Sequence, residues 1–137
     1  MSQPKEVPAE KLTPCTVYLR GKGQRMLVLE AGENADDAPG GPTCFVSARD
    51  LLSWEEEHHH AVSRRSMFKV VADGQGAIRD AGDQLDRLIW KAEADLKGLK
   101  PDDPARGERE AQLARDRAQR EWLAQAAKQC GVRLRAS

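Results

Sequence analysis

The chain predicts an α+β fold, a small antiparallel or mixed β-sheet followed by a long antiparallel helical hairpin. Three observations carry this expectation: two β-prone runs joined by a glycine-containing link, one uninterrupted helical stripe in the second half, and a proline pair that cuts that half in two. Spacing is the physical signal throughout, since side chains repeat every two residues on a strand and about every 3.6 on a helix.

Residues 1–14 are polar and carry Pro4, Pro8 and Pro14, which reads as a flexible N-terminal segment without the apolar run of a signal peptide. Residues 15–20 and 25–30 are β-prone and are joined by Gly21-Lys22-Gly23-Gln24, where glycine supplies the positive φ of a tight hairpin. Residues 31–43 hold three acids with Gly32, Gly40, Gly41, Pro39 and Pro42, a composition that sustains neither regular structure and predicts a mobile loop. A short strand at 44–46 is expected to run into a helix that starts at Ser47, with Asp50 three places on as a weak capping box. Residues 67–72 read as a further strand, ended by Gly74-Gln75-Gly76. The order is β-β-β-α-β, about four strands.

The remainder is helical. Ile78, Ala81, Leu85, Leu88, Ala92, Leu96 and Leu99 recur at spacings of three and four and form one stripe. Pro101 and Pro104 stop this helix, because each removes a donor and restricts the residue before it. A second helix over 105–130 carries a stripe of Ala111, Ala114, Ala118, Trp122 and Ala126, on which the first helix's leucines are expected to lie. Gly131 is placed as its C-cap. The domain reading is a segment 1–14 and a single α+β domain 15–137, with sheet and short helix at 15–75 and the helical hairpin at 76–131.

Composition bounds the function. Twenty-two basic residues balance 22 acidic ones, which removes the whole-chain argument for a polyanion binder. The distribution is uneven: residues 30–57 hold eight acids against Arg49 alone, whereas residues 105–137 hold eight bases and four acids. Such polarity suits pairing with another protein or head-to-tail self-association. Cys15, Cys44 and Cys130 are far apart, which argues for a reducing compartment and against a structural zinc site. With no membrane-length apolar run, the expectation is a cytoplasmic protein.

Residues 55–60, three glutamates followed by the chain's three histidines, concentrate its chemistry. On a helix at about 100° per residue, Leu51, His58 and Val62 share a line with Glu55 to one side, while His60 points away. Glu55 and His58 are therefore expected to pair on the inner face, with Glu56, Glu57 and His60 in water. The alternative metal set is Glu55, His58 and His59, but one helix offers at most two ligands per face where zinc needs three or four. No cofactor is expected. A small metal-dependent enzyme, or one using a histidine with Cys15 or Cys44, is kept as an alternative.

Gly74-Gln75-Gly76 has half the form of a phosphate loop, but Arg79 stands where the fingerprint's third glycine belongs. Nucleic-acid contact, a second alternative, would use Arg20, Lys22, Arg25, Arg64 and Arg65; Glu55, Glu56 and Glu57 would repel a phosphate backbone. Trp54 and Trp90 lie off their helices' main stripes, where a tryptophan either packs beneath a neighbour or anchors an interface.

The resulting expectation is a non-enzymatic protein-binding chain, in its sharpest form a stoichiometric inhibitor or an immunity or accessory protein of a bacterial mobile element or secretion locus. Asp36, Asp37, Trp54, Glu56, Glu57, His60 and Trp90 are its expected partner-binding residues, docking on a basic surface. A homodimer through the helical hairpin is expected as a further partner state.

Overall fold

The computed structural model describes residues 5–34 and 43–134. It divides into two compact units, Met1–Ala77 and Ile78–Ser137. The loop expected over 31–43 is shorter than that: Ala31, Gly32 and Glu33 end one strand and Thr43 begins the next, while residues 35–42, with Asp36 and Asp37, lie outside the described residues.

The first unit is an all-antiparallel sheet of six strands: β1 (Lys5–Pro8), β2 (Val17–Arg20), β3 (Gln24–Glu33), β4 (Thr43–Asp50), β5 (Glu56–Ser63) and β6 (Met67–Val70), with a 3-10 turn at Ala9–Lys11. Their spatial order is β1-β6-β2-β3-β4-β5. The expected hairpin is present as β2 and β3, with Gly21 and Gly23 at φ 57° and 97° in its turn. Three corrections follow. Residues 5–11 of the segment expected to be flexible form β1 and the 3-10 turn. The sheet has six strands where about four were expected, and the helix expected from Ser47 is absent: β4 and β5 form a hairpin there.

Burial shows why a strand wins. Along β4, Cys44, Val46, Ala48 and Asp50 are buried in strict alternation with half-exposed neighbours, the period-two signature of a strand with one face inward. Asp50 does not cap a helix: its Oδ1 accepts the amides of Leu52 (2.7 Å) and Ser53 (3.1 Å) and turns the chain. Trp54, at φ 66°, completes the five-residue link in the left-handed region that a helix cannot contain.

The sheet is strongly curled. Only residues 64–66 separate β5 from β6, a reach of about 14 Å at full extension, yet β6 and β5 stand four strand spacings apart in the sheet order, about 19 Å if flat. Curling closes that gap, and the amides of Ala9 and Glu10 bond the carbonyls of Ser66 (2.8 Å) and Arg64 (3.1 Å) where the ends meet. The concave face holds the core: Leu12, Tyr18, Met26, Val28, Val46 and Ala48, flanked by Val7, Ala31, Phe68 and Val70.

The second unit is the expected helical hairpin, α1 (Gly74–Gly98) and α2 (Arg106–Gln129); α1 begins in the last residues of the first unit. Asp73 caps α1, accepting the Gly76 amide at 2.8 Å. A carboxylate thus occupies the end at which a phosphate would bind. Ion pairs Asp95–Arg109, Glu93–Arg117 and Asp86–Arg120 descend one helix while ascending the other, so the pair is antiparallel. Gly131, at φ 70°, ends α2 in a Schellman turn in which Val132 donates to Ala127 (2.8 Å) and Gly131 to Lys128 (3.2 Å). The expected alanine stripe is corrected. Ala111, Ala114 and Ala118 are exposed, and Leu113, Asp116, Leu123 and Ala127 are buried. Leucine buries far more apolar area than alanine, so the face carrying Leu113 and Leu123 turns inward. No helix among the described residues is long and apolar enough to cross a membrane.

Candidate functional site

Two places merit a functional reading, one in each unit. In the first, alternation puts Tyr18 and Arg20 of β2 on the concave face, and register places Asp50 beside Met26, Glu57 beside Ala48 and His59 beside Val46. Ala48 is small enough to leave Glu57 open toward β2. Tyr18 donates its hydroxyl hydrogen to Glu57 Oε2 at 3.2 Å, Arg20 Nη1 meets Glu57 Oε1 at 3.1 Å, and His59 Nε2 lies 3.3 Å from Glu57 Oε2. Arg20 Nη2 also stands 3.6 Å from Asp50 Oδ2, a buried oxygen with no hydrogen-bond partner.

Electrostatics follow from these contacts. Burial, then the Glu57 charge, pushes the Tyr18 hydroxyl well above the usual tyrosine range. Burial alone would raise Glu57, but Arg20 and His59 outweigh it and hold its carboxyl below the ordinary value. The hydrogen bond to Glu57 likewise raises Arg20. Near neutral pH the tyrosine stays protonated and the glutamate ionised, so this pair does not exchange a proton there. The arrangement ties β2, β4 and β5 together.

The Glu/His block is on β5, and period two replaces the helical pairing expected for Glu55 and His58. Glu56, His58 and His60 share the outer face, where His58 Nε2 lies 3.3 Å from Glu56 Oε2, its Nδ1 lies 2.9 Å from Ser47 Oγ, and the rings of His58 and His60 stack at 6.4 Å. His59 and Glu57 take the opposite face. Glu55 is exposed in the turn. The alternative metal set of Glu55, His58 and His59 is therefore split between faces, and no three His, Cys, Asp or Glu side chains converge on a metal position among the described residues.

Cysteine chemistry is similarly constrained. Cys44 is buried and its thiol is raised, first by desolvation and then by the charges of Glu33 and Glu10, the reverse of an activated nucleophile. Cys15 and Cys130 are disulfide-bonded, which corrects the expectation of reduced thiols at those positions. Of the basic residues, Arg20 is engaged by Glu57 and Asp50, Lys22 is exposed in the β2–β3 turn, and Arg25 is half-buried. Arg64 and Arg65 lie in the separate β5–β6 turn. Trp54 is buried and packs in the β4–β5 link, so it is no exposed anchor.

The second place is a groove on the helical hairpin. It has a volume of about 980 Å³ and carries Trp90, which is 74% exposed, beside Ile89 and Ala124. Charged side chains of both signs from α1 and α2 line it, among them Asp86 and Arg120, which form an ion pair at 2.7 Å. Trp90 was legible from its position off the leucine stripe. The charged lining was not, because those residues read as an ordinary solvated helix face. No protein-family model matches the chain, and no curated protein matches it either.

Proposed function

We propose that this chain acts by binding protein and not by catalysis, with the helical-hairpin face around Trp90 as its contact surface. Trp90 carries this reading. A tryptophan left 74% in water in a groove beside Ile89 and Ala124 is the residue type most enriched among interface hot spots, because its large flat surface gains much from desolvation. In its sharpest form the function is that of a stoichiometric inhibitor, or of an immunity or accessory protein of a bacterial mobile element or secretion locus, with homodimerisation through the hairpin as part of its action. Docking through Asp36, Asp37, Glu56 and Glu57 is the less favoured version, since Tyr18, Arg20 and His59 already hold Glu57. The nucleic-acid version is weakened in the same way by the engagement of Arg20, and the enzyme version by the locked Tyr18–Glu57 pair and the suppressed Cys44 thiol.

Replacing Trp90 by alanine tests the reading, because an exposed side chain is removed without touching the core. Association, whether with itself or with a protein retained on an affinity column, is expected to weaken about tenfold or more, with an unchanged circular dichroism spectrum. Equal retention by Trp90→Ala and native protein would sink the proposal.

A further inference from the structure

We propose that the outer face of β5 binds one divalent transition-metal ion of the zinc and copper class, held by Glu56, His58 and His60; this stands apart from the protein-binding reading. β5 presents these three residues at alternate positions, all of them exposed. Residues two apart on a strand lie about 6.6 Å from each other on one face, near enough for two imidazoles to share an ion. His59, the middle histidine, takes the opposite face and lies 3.3 Å from Glu57. Imidazole nitrogen and carboxylate oxygen together form a donor set that zinc and copper favour.

Two of the three ligands already stand at ligand spacing. His58 Nε2 and Glu56 Oε2 are 3.3 Å apart, and two ligands of a tetrahedral ion with bonds of about 2.0–2.1 Å lie about 3.3–3.4 Å from each other. Each is oriented by a residue across the ladder on β4. His58 Nδ1 lies 2.9 Å from Oγ of its register partner Ser47; with Nδ1–H donating to that oxygen, the lone pair is on Nε2, the nitrogen beside Glu56. Arg49, the register partner of Glu56, meets the other carboxylate oxygen, Oε1, at 3.9 Å, which leaves Oε2 for the ion.

The third ligand depends on a break in register. Cys44 pairs with Val62 and Val46 with His59, so His60 and Ala61 together oppose Phe45. This is a β-bulge, a device that re-aims side chains. His60 stays on the face of His58, its ring within 19° of parallel and 6.4 Å away, and Asn34 Nδ2 holds the His60 carbonyl at 2.7 Å. Two imidazoles on one tetrahedral ion have ring centroids about 5 Å apart, so His60 must swing toward His58 by about 1 Å. That distance is why the three side chains do not converge as they stand. His60 is exposed, and an exposed side chain makes such a turn freely. Water takes the fourth position, as in an open site.

The test uses full-length protein without an affinity tag, titrated separately with ZnCl2 and CuCl2 in isothermal calorimetry. One ion per chain should bind, Cu2+ more tightly than Zn2+. His58→Ala and His60→Ala should each weaken binding at least tenfold, and Glu56→Gln about threefold or more. His59→Ala should leave it unchanged, which separates a strand-face site from a mere string of histidines. Circular dichroism should match native protein in the Glu56, His58 and His60 variants, whose side chains are exposed. Electron paramagnetic resonance of the Cu2+ form should show two coordinated nitrogens in native protein and one after either His58 or His60 is replaced. A loss at His59→Ala as large as at His58→Ala would overturn the proposal. So would the absence of saturable binding, or native affinity in a variant lacking both His58 and His60. None of these residues lies on the helical hairpin, so any of these results leaves Trp90-dependent association to be judged by its own test.

Discussion

Tyr18 and Glu57, 39 residues apart in sequence, are joined by a 3.2 Å hydrogen bond that spans from β2 to β5. Tyr18 is buried, and its hydroxyl gives its hydrogen to a carboxylate, so the bond is charge-assisted. Tyr18→Phe keeps the ring on Phe68, against which it lies edge-on at 5.0 Å, and removes only the donor. The expected loss is about 1–2 kcal/mol of unfolding free energy, measured by urea denaturation.

Titration of the same tyrosine gives a spectroscopic test. Tyr18 is the chain's only tyrosine, so phenolate absorbance reports it alone. Its ionisation is raised in the fold, above the ordinary 10.0, so the unfolded chain releases the proton first as pH rises. Native protein should show no phenolate signal near pH 10, and stability should decline from that pH upward. A native titration centred at the ordinary value would contradict the burial and the bond.

The acid side has the opposite sign. Glu57 titrates below the ordinary 4.5 in the folded chain, so the unfolded state binds its proton first as pH falls. The stability from Glu57 is therefore present above about pH 4.5 and is lost as pH drops through its lower folded value. Glu57→Gln should flatten this part of the stability curve, measured as the melting temperature between pH 3 and pH 6 (approximate bounds around the ordinary carboxylate range).

Asp50 should be more costly to lose than its place in a turn suggests. Its side chain is 1% exposed and accepts two amides of the β4–β5 link. Asp50→Ala leaves those donors unpaired and removes the charge facing Arg20, an expected loss of about 2–4 kcal/mol. Asp50→Asn keeps an acceptor for both amides and should lose less. Equal losses in chemical denaturation would assign the role to charge alone.

The two faces of α2 should respond unequally. Leu123 is fully buried, so Leu123→Ala is expected to lose about 2–5 kcal/mol. Ala118→Lys, on the exposed alanine face, should stay within about 0.5 kcal/mol. A large loss at Ala118 in thermal unfolding would restore the alanine stripe as the packing face.

Local rules govern the parts legible from the chain alone: the β2–β3 hairpin with its positive-φ glycines, the buried start of the α1 stripe at Ile78, Ala81 and Leu85 (Leu88, further along it, is 46% exposed), the break at Pro101 and Pro104, and the cap at Gly131. Each depends on residues within a turn or two of one another. Residues 47–62 were beyond such rules, because Ala48, Leu51, Glu55, His58 and Val62 satisfy a helix while Cys44, Val46, Ala48 and Asp50 satisfy a strand. Pairing with β3, the curl that closes the sheet and the left-handed Trp54 decided between them, and all but the last are long-range. Tertiary structure likewise chose which face of α2 is buried and brought Tyr18, Arg20 and Asp50 to Glu57. A side chain's neighbours across a sheet are set by register, which its neighbours in sequence do not encode.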